Sequence, residues 1–148
     1  MNILSKVSAF NSLVLETFRL NGALVGAGDA LVAELGLTSA RWQVLGAVAK
    51  ADTTPSISEV ARAMGLSRQA VRRVVNDLIS MGLLKEVDAP EGARSRRLLL
   101  SEAGSVAHCA ADAKQQPWAT EVSADFDASV LEAAAATVRR LRERIQTL

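Results

Sequence analysis

The first third of the chain has apolar residues at helical spacing. They are three or four positions apart and share one face of a helix: Ile3, Val7, Phe10, Val14 and Phe18. Glycines at positions 22, 26 and 28 interrupt the pattern, so we expect a bend or a break there. The segment LTSARWQVLGAVAK then predicts a second helix, with Thr38 as its N-cap.

The centre of the chain predicts two short helices joined by a tight turn. SISEVARAMG starts with Ser56 three residues before Glu59, the spacing of a capping box, and ends at Gly65. Ser67 is a suitable N-cap for the next helix. The apolar residues of that helix are spaced as in a half-buried helix: Val71, Val74, Val75 and Leu78. This arrangement is typical of a helix-turn-helix.

The period of the apolar residues changes after Gly82. LLKEVD and SRRLLL flank APEGAR, a loop that contains Pro90 and Gly92, and they predict a β-hairpin with a basic tip. By its apolar content alone the run LLL is equally compatible with a helix, but the proline and the glycine favour the hairpin. We therefore expect a hairpin directly after the helix-turn-helix.

Two further helices are predicted at the C-terminal end. Ser101 is a suitable N-cap for a helix that extends towards Pro117. After DFD, apolar residues alternate at spacings of three and four in a heptad pattern: Leu131, Ala134, Val138, Leu141, Ile145 and Leu148. The predicted fold is thus mainly α with a small β-hairpin wing. A winged helix-turn-helix domain, residues 36–100, is flanked by an N-terminal helical dimerisation segment, residues 1–35, and by C-terminal dimerisation helices, residues 101–148.

Composition and single residues exclude several classes of protein. The 148 residues contain no apolar run long enough to cross a membrane, and the N-terminus lacks the apolar core of a secretory signal. The single cysteine cannot form an internal disulfide, which fits a cytoplasmic location. With one histidine, His108, and no glycine-rich phosphate loop, the sequence offers no catalytic or metal-binding constellation. We therefore expect no enzymatic activity and no cofactor.

Basic residues are concentrated in the centre of the chain. Eight basic and four acidic residues lie between Arg62 and Arg97, so this segment has a net charge of +4 and the remainder −3. A basic centre is typical of a surface that meets a polyanion. Charge alone is equally compatible with a solvated charged surface. The aromatic content of 3% argues against a base-stacking surface for single-stranded nucleic acid.

The polar residues of the second central helix are those of a DNA recognition helix. With the apolar residues turned inward, its outer and flanking faces carry Ser67, Arg68, Gln69, Arg72, Arg73 and Asn76. Arginine forms paired hydrogen bonds to guanine, and glutamine or asparagine does the same to adenine. On the hairpin, Arg94, Arg96 and Arg97 would add positive charge near a minor groove. The alternative is a solvent-exposed helix whose arginines pair with acids such as Asp77.

Three segments resemble the MarR family of transcriptional regulators: LTSARWQVLGAVA, SISEVARAMGLSRQAVRRVVNDLISMGLL and RSRRLLLSEAG. The resemblance covers roughly residues 37–104 and implies a winged-helix homodimer whose terminal helices interlock. It implies a repressor that binds a palindromic operator in double-stranded DNA and is released by a small, often aromatic, anionic effector. The resemblance places Ser67, Arg68, Gln69, Arg72 and Arg73 at the DNA, and Arg94 at the position of the wing arginine.

The hairpin departs from the family's pattern at one position. Gly92 stands near the place of an aspartate that usually precedes the wing arginines, and Asp88 or Glu91 is the candidate substitute. The resemblance also implies an effector pocket between the terminal helices and the winged domain. Arg19 or Arg41 would meet a carboxylate there, beside Trp42, although tryptophans are more often packing residues.

Two alternatives stay open at this point. Cys109 is interpreted as a core or interface thiol. The alternative is a redox switch, but the family's oxidant sensors carry their cysteine near the start of the chain, and this sequence has none there. The alternative to a DNA-binding regulator is a winged-helix module for protein–protein contact. Such a module would not need cations on both the helix and the hairpin.

Overall fold

The computed structural model describes residues 2–90, 92 and 94–148. In chain order its elements are the helices α1 (Ile3–Val32), α2 (Ser39–Lys50), α3 (Ile57–Met64) and α4 (Arg68–Ser80), the strands β1 (Leu84–Val87) and β2 (Arg97–Leu100), and the helices α5 (Glu102–Ser123) and α6 (Ala128–Gln146). A short 3-10 turn, Ala33–Leu35, follows α1. The predicted fold class, mainly α with a small β-hairpin wing, is confirmed.

The chain divides into two compact units, residues 1–114 and residues 115–148. The first contains α1 to β2 and the beginning of α5, and the second contains the rest of α5 and α6. The predicted division at residues 35 and 100 is a division by function, and it stays a prediction.

The helix α1 runs without interruption through its glycines, so the predicted break there is wrong. Gly28 instead permits a close approach of α1 to α2. A Cβ atom added at Gly28 would collide with Ser39 Oγ, whose hydroxyl donates a 2.8 Å hydrogen bond to the Val25 carbonyl oxygen. The Ser39 N–H donates a second hydrogen bond, of 2.7 Å, to Asp29 Oδ1. This glycine therefore permits close helix packing, and the predicted bend stays a prediction.

The helices of the central region begin and end where the sequence predicts. Ser67 Oγ accepts a 3.1 Å hydrogen bond from the Ala70 N–H at the start of α4. Ser56 and Glu59 form the predicted reciprocal capping box of α3. Gly65 ends α3 with a φ of +67°, a left-handed conformation that glycine adopts without strain.

The first unit has a hydrophobic core to which α2, α3, α4 and the hairpin all contribute. Val71, Val75 and Leu78 of α4 are fully buried, as their spacing predicts. The other buried apolar side chains are Val32, Leu37, Val44, Leu45, Val48, Ile57, Val60, Ala61, Leu83, Leu84, Leu98 and Ala111. Because these contacts fix one face of α4 against the core, they also fix which face of α4 is exposed.

The hairpin is antiparallel and is tied to the helices at its base. The first residue of β1 lies opposite the last residue of β2. The Leu98 N–H donates a 2.8 Å hydrogen bond to the Pro55 carbonyl oxygen, in the segment before α3. Gly104 of α5 lies so close to the Leu83 carbonyl oxygen that an added Cβ atom would collide with it. Contacts on both sides therefore set the direction of the hairpin.

The helix α5 continues through Pro117 to Ser123, beyond the end that the sequence predicts. A proline removes one backbone hydrogen bond from a helix, and here the turns on both sides of it remain helical. Among the described residues, no single helix is long and apolar enough to span a membrane; α1 with its 3-10 turn, taken together with α2, passes the same criterion as a bent pair, by length and composition only.

The helix α6 contains the predicted heptad pattern but buries none of its residues. Leu131 and Val138 are each 43% exposed, and Ile145 is 60% exposed. The second unit therefore presents an apolar stripe on its surface.

Candidate nucleic-acid interface

The face of α4 that points away from the core carries every residue predicted for the recognition helix. The exposed side chains are Ser67, Arg68, Gln69, Arg72, Arg73 and Asn76. Successive residues of a helix differ by about 100°, so burial of Val71, Val75 and Leu78 turns these positions outward.

An open cleft of about 530 Å³ lies between the first turns of α4, the start of α3 and the hairpin. Its lining residues are Ser56, Ile57, Ser58, Arg68, Gln69, Arg72, Glu86, Arg94, Ser95 and Arg96. The cleft thus brings together residues that are distant in sequence, three from α4 and two from the hairpin, among those predicted to contact DNA. Ser67, Arg73 and Asn76 are not part of its lining and lie on the exposed surface of α4.

Arg72 is held within this cleft by an acid on the hairpin. Its Nη1 donates hydrogen bonds of 3.1 and 2.9 Å to Oε1 and Oε2 of Glu86. The Glu86 side chain is only 14% exposed, whereas that of Arg72 is 46% exposed. Arg72 is therefore a paired and oriented cation and not a freely moving one.

This pair is not among those predicted from the sequence. The predicted partner of the α4 arginines is Asp77, but Asp77 Oδ2 lies 3.5 Å from Nη2 of Arg41. A signal for Glu86 was present, because alternate residues of a strand share one face and Leu84, two positions earlier, is buried. Strand alternation therefore places Glu86 on the face of the hairpin that is turned towards the helices.

Arg96 and Arg94 differ in their surroundings. Nη2 of Arg96 donates a 2.9 Å hydrogen bond to the Glu86 carbonyl oxygen, and its Nε lies 3.6 Å from Asp88 Oδ1. Arg94 is exposed, and no ion pair joins it to another residue of the described part of the chain. Asp88 is thus in contact with a hairpin arginine, whereas Glu91, the other candidate substitute, lies outside the described residues.

Arg97, the third arginine of the hairpin, is part of the scaffold. Its Nη1 donates hydrogen bonds of 3.1 and 3.2 Å to the carboxylate of Glu59, and its side chain is 21% exposed. Hydrogen bonds from the Ser56 N–H and from Arg97 lower the pKa of Glu59 below its ordinary value of 4.5. Arg97 therefore joins β2 to the capping box of α3 and is not directed at a ligand.

The arginines expected at an effector pocket have partners within the protein. Besides its contact with Asp77, Arg41 donates a 3.4 Å hydrogen bond from Nη1 to the Gly36 carbonyl oxygen. Arg19 is exposed and pairs with Glu16 on the same helix. An anion that bound Arg41 would have to replace these weak, long contacts.

Trp42 and the single histidine meet at one aspartate. Trp42 Nε1 donates a 3.3 Å hydrogen bond to Asp112 Oδ1, and His108 Nε2 lies 3.6 Å from Asp112 Oδ2. The neighbouring Cys109 is exposed, so its interpretation as a core thiol is wrong, and an interface thiol stays a prediction. Within the described residues, no three His, Cys, Asp or Glu side chains are grouped so as to hold a metal ion.

The sequence matches the model of a known protein family. Residues 35–95 match the model of the MarR family. Proteins of Mycobacterium tuberculosis and Mycobacterium bovis whose functions are uncharacterised are 39% identical over 92 residues. The match covers 62% of this chain and 63% of each relative, so it spans less than two thirds of the length of these relatives.

Solved structures share the fold along almost the whole chain. A MarR/EmrR family regulator from Acinetobacter sp. has a TM-score of 0.81 at 17% identity, and the match covers 100% of both chains. CouR from Rhodococcus jostii, bound to p-coumaroyl-CoA, has a TM-score of 0.80 at 19% identity over 88% of this chain and 91% of its own. MosR of M. tuberculosis, solved with DNA, has a TM-score of 0.76 at 23% identity over 89% and 96%. At these identities the likeness is one of fold.

Proposed function

Because residues 35–95 match the model of the MarR family of transcriptional regulators, we propose that the chain is a member of this family and regulates transcription by binding double-stranded DNA as a winged helix. In this proposal α4 enters the major groove and the hairpin lies along the neighbouring minor groove. The observation that carries the proposal is the shared cleft, in which Arg68, Gln69 and Arg72 of α4 face Arg94 and Arg96 of the hairpin. MosR, which shares the fold, was solved in complex with DNA, and this supports the proposal that the chain binds DNA.

The residues of this surface have different proposed roles. Arg72 and Gln69, within the first two turns of α4, contact base edges, because their side chains form the paired hydrogen bonds that guanine and adenine accept. Ser67 and Arg68 contact phosphate at the start of the helix. Arg94 and Arg96 act through phosphates or through the negative potential of the minor groove. Arg73 and Asn76 flank the cleft and contact the adjacent backbone or bases.

We further propose that the protein is a homodimer formed by its terminal helices. Exposed apolar residues lie along both α1 and α6. In α1, Ile3 is 77% exposed and Phe18 is 70% exposed; in α6, Ile145 is 60% exposed. Apolar stripes of this length are unfavourable in water, and a second copy of the chain would cover them. A two-fold axis then requires a palindromic operator with half-sites about 10 bp apart.

The proposal extends to repression and release by an effector. A small, aromatic, anionic molecule would bind near Arg19, Arg41 and Trp42 and replace the 3.5 Å contact between Arg41 and Asp77 of α4. CouR, which shares the fold, is bound to p-coumaroyl-CoA in its structure. The test is a screen of aromatic acids. A compound that lowers the affinity for the operator would support this part of the proposal, and a screen in which no compound changes DNA binding would contradict it. The proposed action on chromosomal DNA places the protein in the cytoplasm.

Selection from a library of random duplexes tests the main proposal. The expected result is a palindrome with two half-sites, bound with an affinity that falls steeply as the salt concentration rises. If the protein is a module for protein–protein contact, the selection will enrich no sequence and any residual binding will not discriminate between duplexes. Footprints that cover one half-site, or that tolerate any spacing, would contradict the dimer.

A further inference from the structure

Glu86 is the one acid that lines a cleft with four arginines, as far as the described residues show. Both of its carboxylate oxygens accept hydrogen bonds from Nη1 of Arg72. Negative charge at this place opposes the approach of a phosphate backbone. The position of Glu86 therefore lowers the affinity for nucleic acid of any sequence, and its contribution to DNA recognition has to lie elsewhere.

Glu86 is itself held in place. It lies in β1 opposite Leu98, which is fully buried. Its carbonyl oxygen accepts a 2.9 Å hydrogen bond from Nη2 of Arg96. Because its backbone is fixed and its side chain is only 14% exposed, Glu86 can support the guanidinium of Arg72.

The pair occupies one side of the guanidinium and leaves the other side open. Nη1 of Arg72 is engaged by Glu86, whereas Nε and Nη2 form no hydrogen bond with any other described residue. Nε–H and Nη2–H point in parallel along one edge of the guanidinium plane, and this edge matches O6 and N7 of guanine. Arg72 is therefore paired without losing the edge that can read a base.

Restricting Arg72 changes what it can bind. A mobile arginine on an exposed helix can turn to the nearest phosphate of any sequence, and its ordering on a base edge costs conformational entropy. A guanidinium held by Glu86 has already lost that freedom and meets DNA in one orientation. Pairing thus favours contact with one base over contact with the backbone.

We propose that Glu86 is a positioning residue for Arg72, which holds the guanidinium towards guanine and raises base selectivity at the expense of affinity for DNA in general. This inference rests on the proposed function of the cleft. It predicts that removing the charge of Glu86 lowers base discrimination and raises the affinity for an unrelated duplex. A purely structural role of Glu86 would not predict these opposite changes.

The test uses the full chain, the duplex that the wild-type chain selects, single base-pair variants of that duplex and an unrelated duplex of equal length. Glu86→Gln keeps the shape of the side chain and removes its charge. We expect its discrimination at the base pair read by Arg72 to fall about three- to tenfold, the range expected for one lost orienting hydrogen bond. Its affinity for the unrelated duplex should rise, because a negative charge has left the cleft.

Asp88→Asn is the matched control. It removes the same charge from the same hairpin, but the Asp88 side chain is 98% exposed and lies against Arg96. We expect it to raise the affinity for the unrelated duplex without changing base discrimination. In an Arg72→Ala background, Glu86→Gln should leave base discrimination unchanged, since the residue that it positions is gone.

Three results would overturn the inference. In the first, Glu86→Gln weakens binding to both duplexes and lowers the Tm, whereas Asp88→Asn does not lower it; Glu86 would then be a support of the hairpin. The variant could raise the affinity for both duplexes and keep full discrimination, which would make Glu86 a simple electrostatic brake. Its effect on discrimination could also persist without Arg72. A wild-type chain that selects no duplex sequence contradicts the proposed function itself and this inference with it, whereas a selective wild type with any of the three results contradicts this inference alone.

Discussion

The central region and the C-terminal helix treat their apolar residues in opposite ways. In α4 the apolar face is buried, and Val71, Val75 and Leu78 are fully inaccessible. In α6, whose pattern is equally regular, no residue is buried and Ile145 is 60% exposed. A regular pattern therefore identifies an apolar face, but it does not say whether the same chain or a second copy covers that face.

The largest expected effect is a loss of dimerisation, which distinguishes assembly from folding. Leu141→Glu would place two like charges in the stripe of the proposed dimer, and we expect it to weaken dimerisation by about 3–6 kcal/mol, because one apolar side chain in each protomer loses its burial. Light scattering at several concentrations measures the shift to monomer. Ala136→Glu, on the face of α6 away from the stripe, adds the same charge and should leave the dimer intact. An unchanged dimer in Leu141→Glu would remove α6 from the interface.

A substitution where α5 packs against the base of the hairpin should have the reverse effect, on folding rather than on assembly. Gly104→Ala would force a Cβ atom against the Leu83 carbonyl oxygen at the base of the hairpin. We expect a loss of about 3 kcal/mol in the free energy of unfolding, the upper part of the range for overpacking. Gly22→Ala is the control, because no atom lies within 4 Å of the added Cβ and the helix should gain about 0.5–1 kcal/mol. Equal stability of the two variants would mean that α5 does not pack this closely against Leu83, the residue before β1.

The cations of the central region should divide into readers of bases and contacts to the backbone. Arg72→Ala should cost about 1–3 kcal/mol of binding free energy and relax the preference at one base pair of each half-site. Affinities for single base-pair variants of the selected duplex measure this. The double variant Arg72→Ala/Glu86→Gln, which leaves no unpaired carboxylate, should lose the same preference. A uniform loss across all sequences would instead assign Arg72 to a phosphate.

Arg94→Ala should act evenly on all sequences. We expect the slope of log K against log salt to become less steep by roughly one unit per lost contact, since Arg94 is assigned to phosphate or groove potential. Folding stability should change by less than about 0.5 kcal/mol, because Arg94 is exposed. If Arg94→Ala changes base preference while Arg72→Ala does not, the two roles are exchanged. If neither variant binds DNA differently from the wild type, the cleft is not the DNA-binding surface.

The smallest expected effect concerns acid. The folded state lowers the pKa of Glu59 below 4.5, chiefly through the Ser56 N–H and then through Arg97, so Glu59 stabilises the fold above pH 4.5. This stabilisation is lost as the pH falls below 4.5 and through the lowered pKa. Denaturant unfolding at a series of pH values should therefore show a shallower acid slope in Glu59→Gln than in the wild type. Arg97→Ala, which removes one of the two causes, should give an intermediate slope, and identical slopes in all three chains would contradict the assignment.

Local signals account for what could be predicted from the sequence. The N-caps Thr38, Ser56 and Ser67 and the C-cap Gly65 act within four residues, so the boundaries of α2, α3 and the start of α4 could be predicted. The buried face of α4 was equally predictable from its period, and the hairpin from Pro90 and Gly92 in its loop.

Long-range contacts account for what could not be predicted. Gly28 permits a close contact with Ser39, which lies eleven residues away on another helix. When such a contact is not known, a glycine in a helical pattern predicts a less stable helix. Arg72 and Glu86 meet only because the hairpin folds back on α4. The roles proposed for the residues of the cleft stay predictions, because each depends on a partner outside the chain.

The base of the hairpin has a consequence for protein engineering. Arg97 binds the carboxylate of Glu59, which also closes the capping box of α3, and Leu98 binds the Pro55 carbonyl oxygen. A chimaera that exchanged only residues 84–100 with another regulator would leave Glu59 without its arginine and the start of α3 without a strand beside it. The segment that can be transferred as a unit is therefore discontinuous. A graft of the hairpin has to include residues 54–59, because these residues set the direction of the hairpin on the scaffold.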